Sequence, residues 1–130
     1  MGVIIRYLLI MVTIAISLTS VECTVTGLAT FYDPPYVPSA CFGNQDQGNL
    51  VAGVSDDLWD GGLACGKSFK VVCTGATNQG DPQPCLGEAV TVIIVDHNPG
   101  AAAIINLSAD AFATIANLDA GSVYVTVKTI

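Results

Sequence analysis

Basic residues are scarce in this chain of 130 residues, which has four lysine and arginine side chains against eleven acidic ones. The net charge of −7 argues against nucleic acids and anionic membrane surfaces as partners, because both repel an acidic protein. From Thr24 onward, three lysines stand against ten acidic residues, so the imbalance belongs to the body of the chain.

Metal ligands are also scarce, since His97 is the only histidine and the five cysteines form no CxxC pair. Structural zinc sites need four thiolate or imidazole ligands at short spacings, so we expect no metal site and no cofactor. No second histidine or thiolate lies at a suggestive spacing from His97, which we therefore interpret as an exposed loop residue.

The chain contains no apolar run that is long enough for a comfortable membrane span. Residues 7–18 are mostly apolar, follow the basic Arg6, and precede a short polar tail at 19–23. This layout is typical of a secretory signal peptide, which we place at residues 1–23 with cleavage after Cys23. An earlier cut is an alternative, and an uncleaved anchor is disfavoured because no basic stop signal follows.

Valine, threonine, isoleucine, alanine and glycine are abundant, which indicates a small, β-rich secreted domain at residues 24–130. Short apolar stretches predict strands at 24–32, 50–54, 69–73, 89–95, 103–107 and 123–130. Ser55 and Ser108 each precede acidic residues in a first turn, as helix caps do. The two strand–helix–strand units around these serines suggest a duplicated topology.

Side-chain periodicity predicts which residues face the core. The predicted core residues are Leu58 and Trp59 after the first capping serine, Phe112, Ile115 and Ala116 after the second, and Val123, Val125 and Val127 in the last strand. Gly27 interrupts the first strand and predicts a bulge or a close backbone approach.

Four cysteines remain if Cys23 leaves with the signal peptide: Cys41, Cys65, Cys73 and Cys85. In an oxidising compartment they predict two disulfides, for which three connectivities exist. We favour the sequential pairing, in which the second bridge closes a short polar loop. Each bridge would stabilise the fold by about 3 kcal/mol, because it restricts the unfolded chain.

Several stretches carry a family resemblance: GLATFYDPPY, ACFGN, LVAGVSDDLWDGGLACGKSFKVVC, VTVIIVDHNPG and INLSADAFATIAN. Through them the chain resembles the plant natriuretic peptides, small secreted proteins with a family-45-endoglucanase-like domain. Expansins, barwin and the blight-associated protein of citrus are related to them. The resemblance implies a mainly β fold, namely a six-stranded double-psi β-barrel with two short helices.

The resemblance implies an apoplastic signal that acts on water and ion balance, with stomatal opening and cell swelling, through a plasma-membrane receptor and cyclic GMP. The family's active stretch corresponds to residues 35–67, a loop and helix closed by a disulfide between Cys41 and Cys65. The side chains that we expect to be receptor-active are Pro35, Tyr36, Phe42, Trp59 and Lys67. We expect the protein to be a monomer.

The enzymatic relatives need a carboxylic acid that protonates the glycosidic oxygen. At the corresponding position this chain has Asn106, whose amide has no titratable proton to donate. Asp33 resembles the second acidic position of the family, and Asp96 is the candidate substitute donor. We therefore expect a vestigial, non-catalytic groove of Tyr32, Asp33, Asp96 and Asn106, in which both carboxylates act as turn formers.

Two further features concern the groove. Asn106, Leu107 and Ser108 form an N-glycosylation sequon, but we favour a buried, unmodified Asn106. Relatives carry a third cysteine pair in the turn after Asp96, where this chain has Asn98 and three alanines, so we expect a more mobile turn.

The competing functions are a polysaccharide-binding module of the expansin or barwin type and, less favoured, a glycosidase.

Overall fold

The computed structural model of the chain describes residues 23–77 and 81–130. Apart from Cys23, the predicted signal peptide lies outside the described residues, and so do residues 78–80 of the predicted polar loop. Within the described ranges, no helix is long and apolar enough to cross a membrane.

The six strands overlap the six predicted ones. Their bounds are β1 Thr24–Tyr32, β2 Val51–Val54, β3 Ser68–Ala76, β4 Ala89–His97, β5 Ile105–Ser108 and β6 Val123–Thr129. Strands β3 and β4 run past their predicted ends, because β3 keeps pairing with β6 and β4 keeps pairing with β2. The helices α1 (Asp56–Trp59) and α2 (Ala109–Ile115) follow β2 and β5.

The strands close into a barrel in the order β1-β5-β2-β4-β3-β6. Strand β1 runs parallel to β5 and β2 runs parallel to β4, whereas the other neighbouring pairs are antiparallel. Exchanging the first three strands with the last three leaves this cyclic order unchanged. The duplicated topology expected from the two strand–helix–strand units is therefore present in the barrel.

The core combines the inward side chains of the strands with one face of α2. Phe112 is fully buried and its ring lies 4.9 Å from that of Phe31. The other predicted core residues of this half are equally inaccessible: Ile115, Ala116, Val123, Val125 and Val127. The helix therefore closes one end of the barrel, as its apolar spacing predicts.

Gly27 lies where the side chain of Ile104 comes close to the backbone of β1. A Cβ atom at Gly27 would be 2.7 Å from the Cγ2 atom of Ile104. The pairing of Gly27 with Val125 keeps the regular register of β1 and β6. Of the two predicted reasons for this glycine, the close approach therefore applies and the bulge does not.

The two predicted capping serines behave differently. The Ser108 hydroxyl accepts a hydrogen bond from the backbone N of Ala111 at 3.2 Å and caps α2 as expected. The hydroxyl of Ser55 is buried without a hydrogen-bond partner among the described residues, so the predicted side-chain cap is wrong. The backbone of Ser55 holds this junction instead, because its N donates to the Ile104 carbonyl at 3.0 Å.

Two disulfides link Cys41 to Cys65 and Cys73 to Cys85, which is the sequential pairing. The first joins the loop before β2 to the turn after α1, and the second joins β3 to the segment before β4. The first bridge therefore ties two connections between strands to each other, and the second fixes the segment before β4 to the barrel wall.

Replacing Phe112 by alanine should lower the free energy of unfolding by about 3–5 kcal/mol, because a fully buried ring is lost and a cavity remains. Equilibrium unfolding in denaturant, with both disulfides intact, measures this loss. The matched control is Leu118→Ala at a site that is 42% exposed, which should cost less than about 1 kcal/mol. Equal losses in the two variants would contradict the central position of Phe112.

Candidate functional site

A row of polar residues crosses the outer face of four strands. Strand pairing aligns Thr30 with Asn106, Asn106 with Gly53, and Gly53 with Asp96. The residues that flank this row along β5 are buried in the core, so side chains in the row point outward. The pairing thereby places Asn106 and Asp96 of the candidate groove on one surface.

Asp96 reaches this surface because of a register shift between β2 and β4. Ala52 pairs with Ile94, but the next residue, Gly53, pairs with Asp96, so β4 carries Val95 as an extra residue. Uninterrupted alternation after the buried Ile94 would send Asp96 into the core. The extra residue turns the carboxylate outward instead.

Gly53 lies in the middle of the row, and the side chain of Asn98 occupies the space above it. A Cβ atom at Gly53 would collide with the Asn98 amide oxygen and would lie 3.2 Å from the Cβ atom of Asp96. The Asn98 Oδ1 atom is buried without a hydrogen-bond partner in the described part of the chain. Asn98 therefore forms part of the groove floor, a role that its position in a turn sequence did not reveal.

Tyr32 and Tyr36 form the aromatic side of the groove, with their rings edge-to-face at 5.0 Å. The Tyr36 hydroxyl donates to the Tyr32 carbonyl at 3.3 Å and accepts from the backbone N of Ala109 at 3.1 Å. Burial raises the pKa of the Tyr32 phenol well above its ordinary value, and the charge of Asp96 and the nearby Tyr36 raise that pKa further. Tyr32 is therefore a neutral hydroxyl beside a carboxylate.

Two polar side chains in the groove, Asn106 and Asp96, are already engaged by the protein. The Asn106 Oδ1 atom accepts a hydrogen bond from the Thr30 hydroxyl at 2.9 Å, and Asn106 is only partly buried. Asp96 accepts from the backbone N of Ala40 at 2.7 Å. Asp33 follows β1, is exposed, and makes no hydrogen bond with any described residue. The site thus brings together Tyr32, Asp96 and Asn106, and leaves Asp33 at its edge.

A second cluster lies where α1 meets the end of β4. The Nε2 atom of His97 lies 2.6 Å from Asp56 Oδ1, and the backbone N of Gly100 donates to Asp56 Oδ2 at 3.1 Å. The Gly100 hydrogen bond, and then the one to His97, hold the pKa of the Asp56 carboxyl below its ordinary value. These contacts join the turn after β4 to the start of α1.

One prediction fails in this cluster and another holds in part. His97 is the last residue of β4, partly buried and paired with Asp56, and not an exposed loop residue. Trp59 is half-buried at the edge of the core, with its ring stacked on the imidazole at 4.5 Å and an interplanar angle of 3°. Both depend on the pairing of β2 with β4, which sequence spacing alone does not show.

The disulfide-closed segment 35–67 contains the strand predicted at 50–54 as well as the expected loop and helix. It includes β2, whose four residues are all buried in the barrel. Around Cys41, backbone hydrogen bonds join Ser39 and Gly43 in both directions, at 2.8 and 2.9 Å. Pro35 and Tyr36 border a hollow of about 200 Å³ at the surface. The segment is therefore an integral part of the fold, and part of it is exposed at the surface.

Comparison with known proteins identifies the family. A family model described as lytic transglycolase matches residues 51–127. An EG45-like domain containing protein of Citrus jambhiri is 52% identical over 117 residues, which cover 88% of this chain and 89% of that protein. The chain belongs to the EG45-like domain proteins. EG45-like domain containing protein 2 of Arabidopsis thaliana is 41% identical over 122 residues, covering 93% of this chain and 92% of the relative.

Solved structures show the fold of this EG45-like protein. A mutant expansin of Clavibacter michiganensis in complex with cellohexaose superposes with a TM-score of 0.63 at 24% identity, covering 83% of this chain. The EG45-like chain spans 50% of the length of that expansin. The barrel is a double-psi β-barrel, as the resemblance implies, and its two disulfides fit a secreted protein.

Metal ligands do not cluster in this EG45-like protein. Across residues 23–77 and 81–130, no group of three or more histidine, cysteine, aspartate or glutamate side chains could hold a metal ion. The side chains described in the groove include two phenols, one carboxylate and two amides.

Replacing Asp96 by asparagine should lower the pKa of Tyr32, because the negative charge that opposes the phenolate is removed. Burial is the larger cause, so the pKa should stay above the ordinary tyrosine value of about 10. Ultraviolet titration of the tyrosinate band measures the change, and a Tyr32→Phe variant identifies the contribution of this residue. Glu88→Gln removes a distant charge and serves as the control; an unchanged titration in Asp96→Asn would contradict the described proximity.

Proposed function

We propose that this protein is a secreted, non-catalytic signalling protein of the plant natriuretic peptide type. It acts in the apoplast on water and ion balance, with stomatal opening and cell swelling, through a plasma-membrane receptor and cyclic GMP. The observation that carries the proposal is the exposed side of segment 35–67, where the Cys41–Cys65 disulfide ties the loop before β2 to the turn after α1.

The groove supports a non-catalytic function. Glycoside hydrolysis needs a carboxylic acid next to the scissile bond, and the position at the centre of the row carries the amide of Asn106. The carboxylate in the row, Asp96, already accepts a hydrogen bond from the backbone N of Ala40. A groove with these groups can bind a ligand but has no evident acid to cleave one.

The receptor-active side chains of the proposal lie at different depths on segment 35–67. Pro35 and Lys67 are exposed, whereas Tyr36, Phe42 and Trp59 are half-buried, so that only part of each ring is accessible to a partner. A surface that is fixed before binding loses little conformational entropy when a partner docks. Because β2 is part of this segment, the intact protein should be a better ligand than an excised peptide.

Cell-wall polysaccharide binding is a second candidate function, favoured by the outward row from Thr30 to Asp96 and the tyrosines beside it. Aromatic rings and hydrogen-bonding groups along an open groove are suited to a sugar chain. The expansin with the same fold was solved with cellohexaose bound. Sedimentation of the protein with cellulose, xyloglucan or chitin particles separates this candidate from signalling.

The purified protein, secreted by cells that express the full chain, should swell leaf protoplasts and raise their cyclic GMP. Phe42→Ala should weaken both responses, because it removes an aromatic side chain from segment 35–67. The matched control is Tyr124→Ala, an exposed aromatic position on β6, which should respond like the unmodified protein.

The enzymatic alternative is tested on the same preparation with soluble β-glucans. We expect no reducing ends to accumulate above the level of a buffer blank. Turnover that disappears in Asp96→Asn or Asp33→Ala would contradict the non-catalytic proposal. Protoplasts that fail to respond to the correctly oxidised protein would contradict the signalling proposal.

A further inference from the structure

A second hollow, which we call the α1 hollow, lies away from the groove, between α1 and the ends of β1, β3 and β6. Its volume is about 200 Å³. Its floor consists of apolar side chains: Val25, Leu58, Phe69 and Val127. Thr129 and Cys23 also line it, and Cys23 is the residue that leaves with the proposed signal peptide. Its rim carries Asp57, Asp60 and Lys67. The α1 hollow therefore combines an apolar floor with two carboxylates and one ammonium group on its rim.

The two carboxylates on the rim are available for a partner. Asp57 and Asp60 are exposed, and neither carboxylate makes a hydrogen bond or ion pair with any residue in 23–77 or 81–130. Asp56, next to them in the chain, is by contrast already bound to His97 and Gly100. The acidic side chains of α1 therefore divide into one that supports the fold and two that face the solvent.

We propose that the α1 hollow binds an arginine side chain that a partner protein presents. The methylene stem would lie on the apolar floor, and the guanidinium would donate hydrogen bonds to Asp57 and Asp60. A purely apolar side chain would leave both carboxylates desolvated and unpaired, and an anion would be repelled. Arginine suits two carboxylates better than lysine does, because its planar group has five donors in a fixed arrangement.

Lys67 places a positive charge on the rim, so replacing it tests whether the bound group is a cation. Its ammonium group lies on the same rim and repels a bound guanidinium, so it weakens binding rather than supporting it. Segment 35–67 supplies the charged rim of the hollow, because Asp57, Asp60 and Lys67 all lie within it. That the arginine belongs to the receptor rests on the proposed signalling function, whereas the preference of the hollow for arginine does not.

The test uses two small probes on the isotope-labelled, secreted protein. N-acetyl-arginine amide should shift the backbone NMR signals of Leu58, Phe69 and Val127 in a saturable way. N-acetyl-citrulline amide, which has the same length but no charge, should bind at least about fivefold more weakly, as expected for the loss of two exposed charge pairs. Added salt should reduce the difference, because it screens the carboxylates.

Variants of the rim complete the test. Asp57→Asn combined with Asp60→Asn should reduce arginine binding to the level of citrulline. Glu88→Gln combined with Asp119→Asn changes the net charge equally at exposed sites outside the hollow, and should leave binding unchanged. Lys67→Gln should tighten binding by about twofold, because it removes the repulsion.

Three results would overturn the proposal: equal binding of the two probes, equal effects of the two double variants, or weaker binding in Lys67→Gln. The outcome is separable from the signalling proposal. A protein that binds the arginine probe without swelling protoplasts contradicts signalling and keeps the arginine site. A protein that swells protoplasts without binding the probe contradicts the arginine site and keeps the signalling proposal.

Discussion

The pairing of β2 with β4 is the constraint on which both polar clusters depend. Strand β2 has only four residues, all buried, and its register on β4 shifts after Ala52. The shift turns Asp96 outward into the groove. The same pairing sets Val54 opposite His97, so that the imidazole meets Asp56 at the start of the following helix. The register shift between β2 and β4 thus positions the groove, and the pairing of the two strands places α1 against His97.

The groove is chemically a set of acceptors and neutral donors around a single fixed carboxylate. Asn106 is bound to Thr30, and Asp96 is bound to the loop through Ala40. Beside Asp96, the Tyr32 hydroxyl and the Asn98 amide oxygen are buried without partners among the described residues. Such atoms cost about 1–3 kcal/mol each when they stay unpaired. A bound ligand with hydroxyl groups would offset part of that cost, which keeps the polysaccharide candidate open beside signalling.

Local patterns in the sequence were sufficient for the strands, the core face of α2 and the Ser108 cap, because each depends on residues close in the chain. The particular barrel came from the family resemblance. Local patterns failed where distant segments meet. The partners of His97, the stacking of Trp59 and the position of Asn98 over Gly53 all require the β2–β4 register. The Ser55 hydroxyl shows a further limit, since a suitable residue at a helix start need not form the side-chain bond.

The contact between Trp59 and His97 has an optical consequence. The chain contains one tryptophan and one histidine, and the two rings lie flat against each other. Indole emission from this protein therefore originates at a single known place, in contact with the only imidazole. Any event that separates α1 from the end of β4 would change that emission without an added label, so the molecule carries its own fluorescent reporter of this junction.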